Sequence, residues 1–113
     1  MTVFMHPERA GEPLLAAAFK KARPALADGV WVRDARHRPV LAVDSGGCAT
    51  GVLVEVGEAV LPLLDLYWGT TGVVRRELRV TAALRVVGAT AWALPSVRDA
   101  RLLGYRVPRG VHG

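Results

Sequence analysis

Gly51-Val-Leu-Val-Glu-Val56, then Ala59-Val-Leu-Pro-Leu-Leu-Asp-Leu-Tyr67, then Trp68-Gly-Thr-Thr-Gly72 and Val74-Arg-Arg-Glu-Leu78 form the stretch that decides the fold. In the first piece Val52, Val54 and Val56 alternate with Leu53 and Glu55, so one face is apolar and the other partly so; this predicts a strand. Gly57 turns the chain and Glu58 places a negative charge where a helix begins. The second piece is apolar nearly all round, broken by Pro62 and Asp65, which predicts a short buried helix. Pro62 is tolerated only in a first turn, so that helix starts near Val60 or Leu61. After the glycine turn, Val74, Arg76, Leu78 and Val80 share one face of a second strand. Arg75, Glu77 and Arg79 share the other, and Arg76 is the polar intrusion on the apolar side.

Downstream, Leu84 to Leu94 is mostly apolar on both faces and predicts a central strand, covered by barrel closure or by a partner subunit. Pro95 ends it. Ser96, with Asp99 three residues on, starts one helical turn running to Leu103. The tail from Arg106 to Gly113 is expected to fray. Upstream, Thr2 to Met5 is a short β-prone run, and His6 to Gly11 reads as a loop because Pro7 cannot donate to a ladder. Glu12-Pro13 predicts a helix with Leu14, Leu15, Ala18 and Phe19 turned to the core, ending near Lys20-Lys21 and stopped by Arg23-Pro24. From Ala25 to Val56 the texture is β. Val30-Trp31-Val32 and Val40 to Val43 are the strands there, and Ser45-Gly46-Gly47 reads as a hairpin-type loop. No repeat or linker divides residues 1–113, which are expected to form one domain.

The composition is that of an ordinary globular chain: 113 residues, 51% hydrophobic and 22% charged. No apolar run reaches the roughly 20 residues of a bilayer span. The N-terminal segment lacks the basic stretch and long apolar core of a secretory signal, so a cytoplasmic location and no membrane association are expected. A single cysteine, Cys48, excludes an internal disulfide and is expected to be inert, and no Cys/His spacing suggests a metal. No cofactor is expected. The net charge is +5, from 13 arginines and two lysines against ten acids. The basic groups, Lys20-Lys21-Arg23, Arg33-Arg36-Arg38 and Arg75-Arg76-Arg79, are scattered, and the chain holds few aromatics that could stack on bases. They read as solvated surface, and nucleic acid is not expected as a partner.

Several short strands with two interposed helices make an α+β domain with a closed or nearly closed mixed sheet. The order of residues resembles the gamma-glutamylcyclotransferase-like family of small β-barrels along nearly the whole chain. The resemblance rests on the apolar first strand and its loop, Leu14-Leu15, Gly51 to Val56, the Leu64-Asp65 pair, Gly69, Gly72 and Arg75-Arg76-Glu77. It implies a small mixed β-barrel with short helices. It also implies chemistry in which the α-amine of a γ-glutamyl group attacks its own side-chain carbonyl, releasing 5-oxoproline and an amine. A semi-buried carboxylate with a raised pKa would carry the proton, and backbone N–H groups of a glycine loop would hold the carbonyl oxygen.

Two positions depart from that pattern. The family's acid follows the Leu-Asp pair by three residues and precedes a glycine, and Trp68 stands there in this chain. The family's first loop reads Tyr-Gly-Ser/Thr-Leu, and here it is Met5-His6-Pro7-Glu8. Ordinary cyclotransferase activity is therefore not expected, and the catalytic residues are open, with Glu8, His6 and Tyr67 as candidates. Glu8 would supply the missing carboxylate from the other side of the pocket, or be a solvated glutamate paired with Arg9. His6 titrates near neutrality and would be a base, or a surface residue. Tyr67 would donate a hydrogen bond or pack. Met5, Pro7, Arg9 and Trp68 are the substrate-binding candidates, with Trp68 as a pocket wall or a plug. Asp65 is expected to anchor the nearby turn, and Arg75 and Arg76 are weaker candidates for an anion. Three readings result: a protein binding or converting a small amine- or amide-bearing metabolite, a non-catalytic binding or interaction protein of the same fold, and, least supported, a basic nucleic-acid binder. A homodimer is left open.

Overall fold

The computed structural model describes residues 1–111. Seven strands are present: β1 (Thr2–Met5), β2 (Lys20–Ala27), β3 (Gly29–Arg33), β4 (Pro39–Val43), β5 (Ala49–Glu55), β6 (Val74–Ala82) and β7 (Arg85–Leu94). Three short helices accompany them: α1 (Pro7–Ala10), α2 (Leu61–Trp68) and α3 (Val97–Leu102). The strand order is β1-β5-β2-β6-β7-β4-β3. A parallel contact of Val3 with Thr90 joins β1 to β7, so β1, β5, β2, β6 and β7 close into a five-stranded mixed barrel. The β3–β4 hairpin extends the sheet from β7 through Leu41 and Ala42.

Alternation along the strands splits the core into two layers. Phe4, Leu53 and Val80 fill the barrel together with small residues, among them Ala25, Ala89, Ala91 and Ala93. The opposite faces of the same strands carry Val3, Met5, Val54, Trp92 and Leu94 and pack against Leu61, Leu64 and Trp68 of α2 and Val97 and Ala100 of α3. The alanines are what allow closure, because a five-stranded barrel has little interior volume. Gly51 meets the same constraint: a Cβ there would lie 2.6 Å from the Phe4 ring and 2.6 Å from the Met5 carbonyl oxygen. β7 is central as its sequence predicts, bonded to β6 along one edge and to β1 and β4 along the other. Barrel closure covers its C-terminal half without a partner subunit, while Val86 near its start is exposed.

Four local expectations are corrected. Residues 12–21 do not form a helix. Leu15 turns inward, Leu14 is 82% exposed, a 3₁₀ turn spans Ala16–Ala18, and β2 begins at Lys20. β5 would otherwise expose an edge, and pairing that edge from Lys20 to Ala27 outweighs the helical spacing of Leu14, Leu15, Ala18 and Phe19. The register slips between Lys20 and Arg23, where Lys21 takes φ 56°. The segment after β1 is the one-turn helix α1, because His6 caps it and Pro7 fits its first position. Ser45-Gly46-Gly47 is not a hairpin loop, since the strands it joins, β4 and β5, are not neighbours in the sheet. The tail is held at Arg106, which exchanges two backbone hydrogen bonds of 2.8 and 3.0 Å with Arg33 on the outer edge of β3. Residues 112–113, the end of the expected frayed tail, lie outside the described residues. α3 is capped as read: the Ser96 hydroxyl accepts from the Asp99 N–H at 3.0 Å and donates to its carboxylate at 2.9 Å.

Candidate functional site

β1 delivers Met5 and His6 to one mouth of the barrel, and α2 ends there with Trp68 because Gly69 caps it. Met5, His6, Arg9, Trp31, Trp68 and Trp92 are among the residues around a cavity of about 30 Å³. That is room for roughly one water molecule, against several hundred Å³ for a typical metabolite pocket.

Trp68 lines this space and is packed on several sides. Its side chain is 5% exposed and meets Trp92 edge-on at 5.1 Å between ring centroids, with Phe19 tilted against it at 6.1 Å. The Arg9 guanidinium lies 5.8 Å from the centre of the Trp68 ring, a cation–π distance. Among the described residues the Trp68 indole N–H is buried without a hydrogen-bond partner. Trp68 thus lines the cavity as a buried, well-packed side chain. Trp92 is fixed from behind, because its indole N–H donates to Asp65 Oδ1 at 2.7 Å. Asp65 therefore orients a tryptophan with its side chain and anchors the turn only through its carbonyl, which accepts the Gly69 N–H at 2.9 Å.

The acid–base candidates do not converge on this cavity. The Glu8 side chain is 55% exposed and bonds Arg33 Nη1 at 2.6 Å, so its ion pair is with Arg33 and not with Arg9. The hydrogen bond and charge of Arg33 hold the Glu8 carboxyl below its ordinary pKa, the reverse of what a proton shuttle near neutrality needs. His6 does line the cavity, but its Nδ1 accepts the Glu8 N–H at 3.1 Å as the cap of α1. Its ring stands edge-on to Trp31 at 4.8 Å. Burial lowers the His6 pKa, Arg33 and Arg9 lower it further, and Glu8 opposes them without reversing the direction. Tyr67 is 43% exposed on the outer side of α2, and Pro7 is exposed.

Of the binding candidates, Met5, Arg9 and Trp68 meet at the cavity. Arg9 is 8% exposed and committed to Glu12 Oε1 at 2.9 Å, with a longer contact to the Pro39 carbonyl at 3.4 Å. Arg75 lies 3.5 Å from Asp65 and Arg76 donates to the Ala93 carbonyl at 3.2 Å, so both are engaged within the fold. Cys48 is exposed. Sequence reasoning missed Trp31, Glu12 and Arg33 as neighbours of the site. Trp31 and Arg33 are brought there by the tertiary approach of β3 and its hairpin to α1, which no local pattern signals, whereas Glu12 lies three residues from Arg9 and its pairing was a local signal. Among the described residues no group of three or more His, Cys, Asp or Glu could hold a metal, and no helix is long and apolar enough to cross a membrane.

No protein-family model matches the chain, and no curated protein sequence matches it. Solved structures do resemble it. The crystal structure of an AIG2-like protein from Mus musculus superposes with a TM-score of 0.70 at 16% identity, covering 98% of this chain and 87% of that one. A solution structure from Arabidopsis thaliana gives 0.66 at 17% identity, over 82% of this chain and 67% of the other. A gamma-glutamyl cyclotransferase gives 0.61 at 14% identity, over 85% and 67%.

Proposed function

On the gamma-glutamylcyclotransferase-like fold that this chain carries, we propose a non-catalytic protein whose barrel-mouth site is closed by its own tryptophan. The observation that carries this reading is Trp68, 5% exposed and packed on Trp92, Phe19 and Arg9 in the position where the resemblance puts a carboxylate. Cyclisation of a γ-glutamyl group needs a proton acceptor beside the attacking amine and donors around the carbonyl oxygen. Indole supplies no proton acceptor. The first loop has Pro7 where a backbone donor would be, and α1 uses the His6 side chain as its cap.

The converting reading would rest on Glu8 as a relocated acid. Against it stand the exposure of Glu8, its bond to Arg33 and the lowered pKa that follows. A binding role at this mouth for an amine- or amide-bearing metabolite would require Trp68 to leave its place, because about 30 Å³ admits no such group. Titration calorimetry and a ¹H–¹⁵N NMR titration with γ-glutamyl amides test the closure. No saturable binding is expected from the native protein. Saturable binding that shifts the Trp68 indole resonance would overturn it.

A further inference from the structure

A second cleft, of about 240 Å³, shares no lining residue with the barrel-mouth cavity. Three segments form it: the β3–β4 turn with Asp34, Arg36 and Arg38, the turn after α2 with Thr70 and Thr71, and the end of α3 with Leu103 to Tyr105. Each wall is held by its own hydrogen bonds. Asp34 Oδ1 accepts the backbone N–H groups of Arg36 and Arg38 at 2.8 and 3.0 Å, and Oδ2 accepts Arg38 Nε at 2.8 Å. The Tyr105 hydroxyl donates to the Thr71 carbonyl at 2.7 Å and therefore accepts from Thr70 Oγ1, also at 2.7 Å.

The acidic group of the cleft is thereby spent on its own turn, with both carboxylate oxygens engaged. The basic groups are not. Arg38 uses only Nε on Asp34, and the Arg36 guanidinium has no acid partner among the described residues. Two guanidiniums with free N–H groups and the Thr71 hydroxyl thus line a cleft whose walls are fixed before any ligand arrives, which lowers the ordering cost of binding. A guanidinium fork matches the oxygens of a phosphate, and two forks suit a group carrying more than one negative charge and three acceptor oxygens. The volume is small for a drug-sized ligand and sufficient for a phosphoryl group with a short carbon body against Leu103 and Tyr105.

We propose that this cleft binds the phosphate group of a small molecule, held by Arg36, Arg38 and the Thr71 hydroxyl. The occupant is a phosphomonoester and not a nucleic-acid strand, because the cleft's one aromatic ring, Tyr105, is 9% exposed and cannot serve as a stacking platform.

The test is a ¹H–¹⁵N NMR titration with inorganic phosphate and with phenyl phosphate, using chloride at matched ionic strength as control. Saturable shifts are expected at the amides of Arg36, Arg38, Thr71 and Gly104 with both probes. Arg36 is exposed and its side chain makes no hydrogen bond or ion pair among the described residues, so Arg36→Gln should keep the remaining spectrum while weakening binding about tenfold. Arg36→Lys, which keeps the charge and loses the fork, should fall between. Co-sedimentation with vesicles containing phosphatidic acid, whose headgroup is a phosphomonoester, against phosphatidylcholine alone, separates the sources: Arg36-dependent binding to the former assigns the phosphate to a lipid headgroup. The proposal is overturned if neither phosphate probe gives saturable shifts and vesicles show no Arg36-dependent binding. Equal affinity in Arg36→Gln, or binding confined to oligonucleotides, overturns it as well.

Discussion

Trp68→Ala removes the side chain that closes the barrel mouth, and its cost follows from the contacts it makes. The residue is 5% exposed and touches two aromatic rings and a guanidinium. Truncating a buried tryptophan costs about 3–5 kcal/mol, a range that already contains the aromatic contacts and the cavity left behind. Removing a buried indole N–H that has no partner returns part of this, about 1 kcal/mol. The net expectation is about 2–4 kcal/mol. For 113 residues the unfolding entropy at the midpoint is about 0.24 kcal/mol/K, so Tm should fall by about 8–17 °C. Urea unfolding followed by far-UV circular dichroism measures the loss. Added indole should recover part of it by filling the cavity, as ligands specific to the folded state do. A loss below about 1 kcal/mol with no response to indole would refute the packed, closed position of Trp68.

Three further outcomes are expected. Glu12→Ala leaves the buried Arg9 without a carboxylate, held by the long contact to Pro39 and the Trp68 ring, and should cost about 1–3 kcal/mol in urea unfolding. The double variant Arg9→Met/Glu12→Ala should recover most of that, and equal losses in the two would contradict a desolvated charge at Arg9. His6 has a folded-state pKa below its ordinary value, so its contribution is complete above about pH 6.5 and is lost as pH falls through the lowered folded value. Tm should accordingly decline between about pH 7 and 5 and decline less in His6→Asn, which keeps a capping side chain; identical slopes would exclude His6 as the source. At the β6–β7 turn, Ala83 and Leu84 adopt φ 50° and 64°, and Leu84 is 99% exposed. Leu84→Gly should therefore stabilise by about 0.5–1 kcal/mol, and a destabilised variant would show that the backbone strain is not relieved there.

The strands and α2 were legible because their signals are local. Val52, Val54 and Val56 alternate, Pro62 fixes where α2 can begin, and Ser96 with Asp99 marks the start of α3. β2 was not legible. Leu14, Leu15, Ala18 and Phe19 have helical spacing, and only the unmet hydrogen bonds of β5 draw Lys20 to Ala27 into the sheet. The β6–β7 turn was hidden for a related reason, since it lacks the glycine or asparagine that would announce positive φ. In the site, Trp68 stood out as a bulky residue where the resemblance puts an acid, and the structure buries it against Trp92, Phe19 and Arg9. The pairing of Glu8 with Arg33 crosses 25 residues and depends on how the β3–β4 hairpin leans toward α1, which no window of sequence contains.

A mass-spectrometric search for 5-oxoproline released from a panel of γ-glutamyl amines by the native protein decides whether the barrel-mouth site is catalytic. A tryptophan-filled site without a convergent acid predicts no product above a protein-free blank for any member of the panel. Product that forms with the native chain and disappears in Glu8→Gln would contradict it, and would place a working acid at the first loop in spite of Trp68.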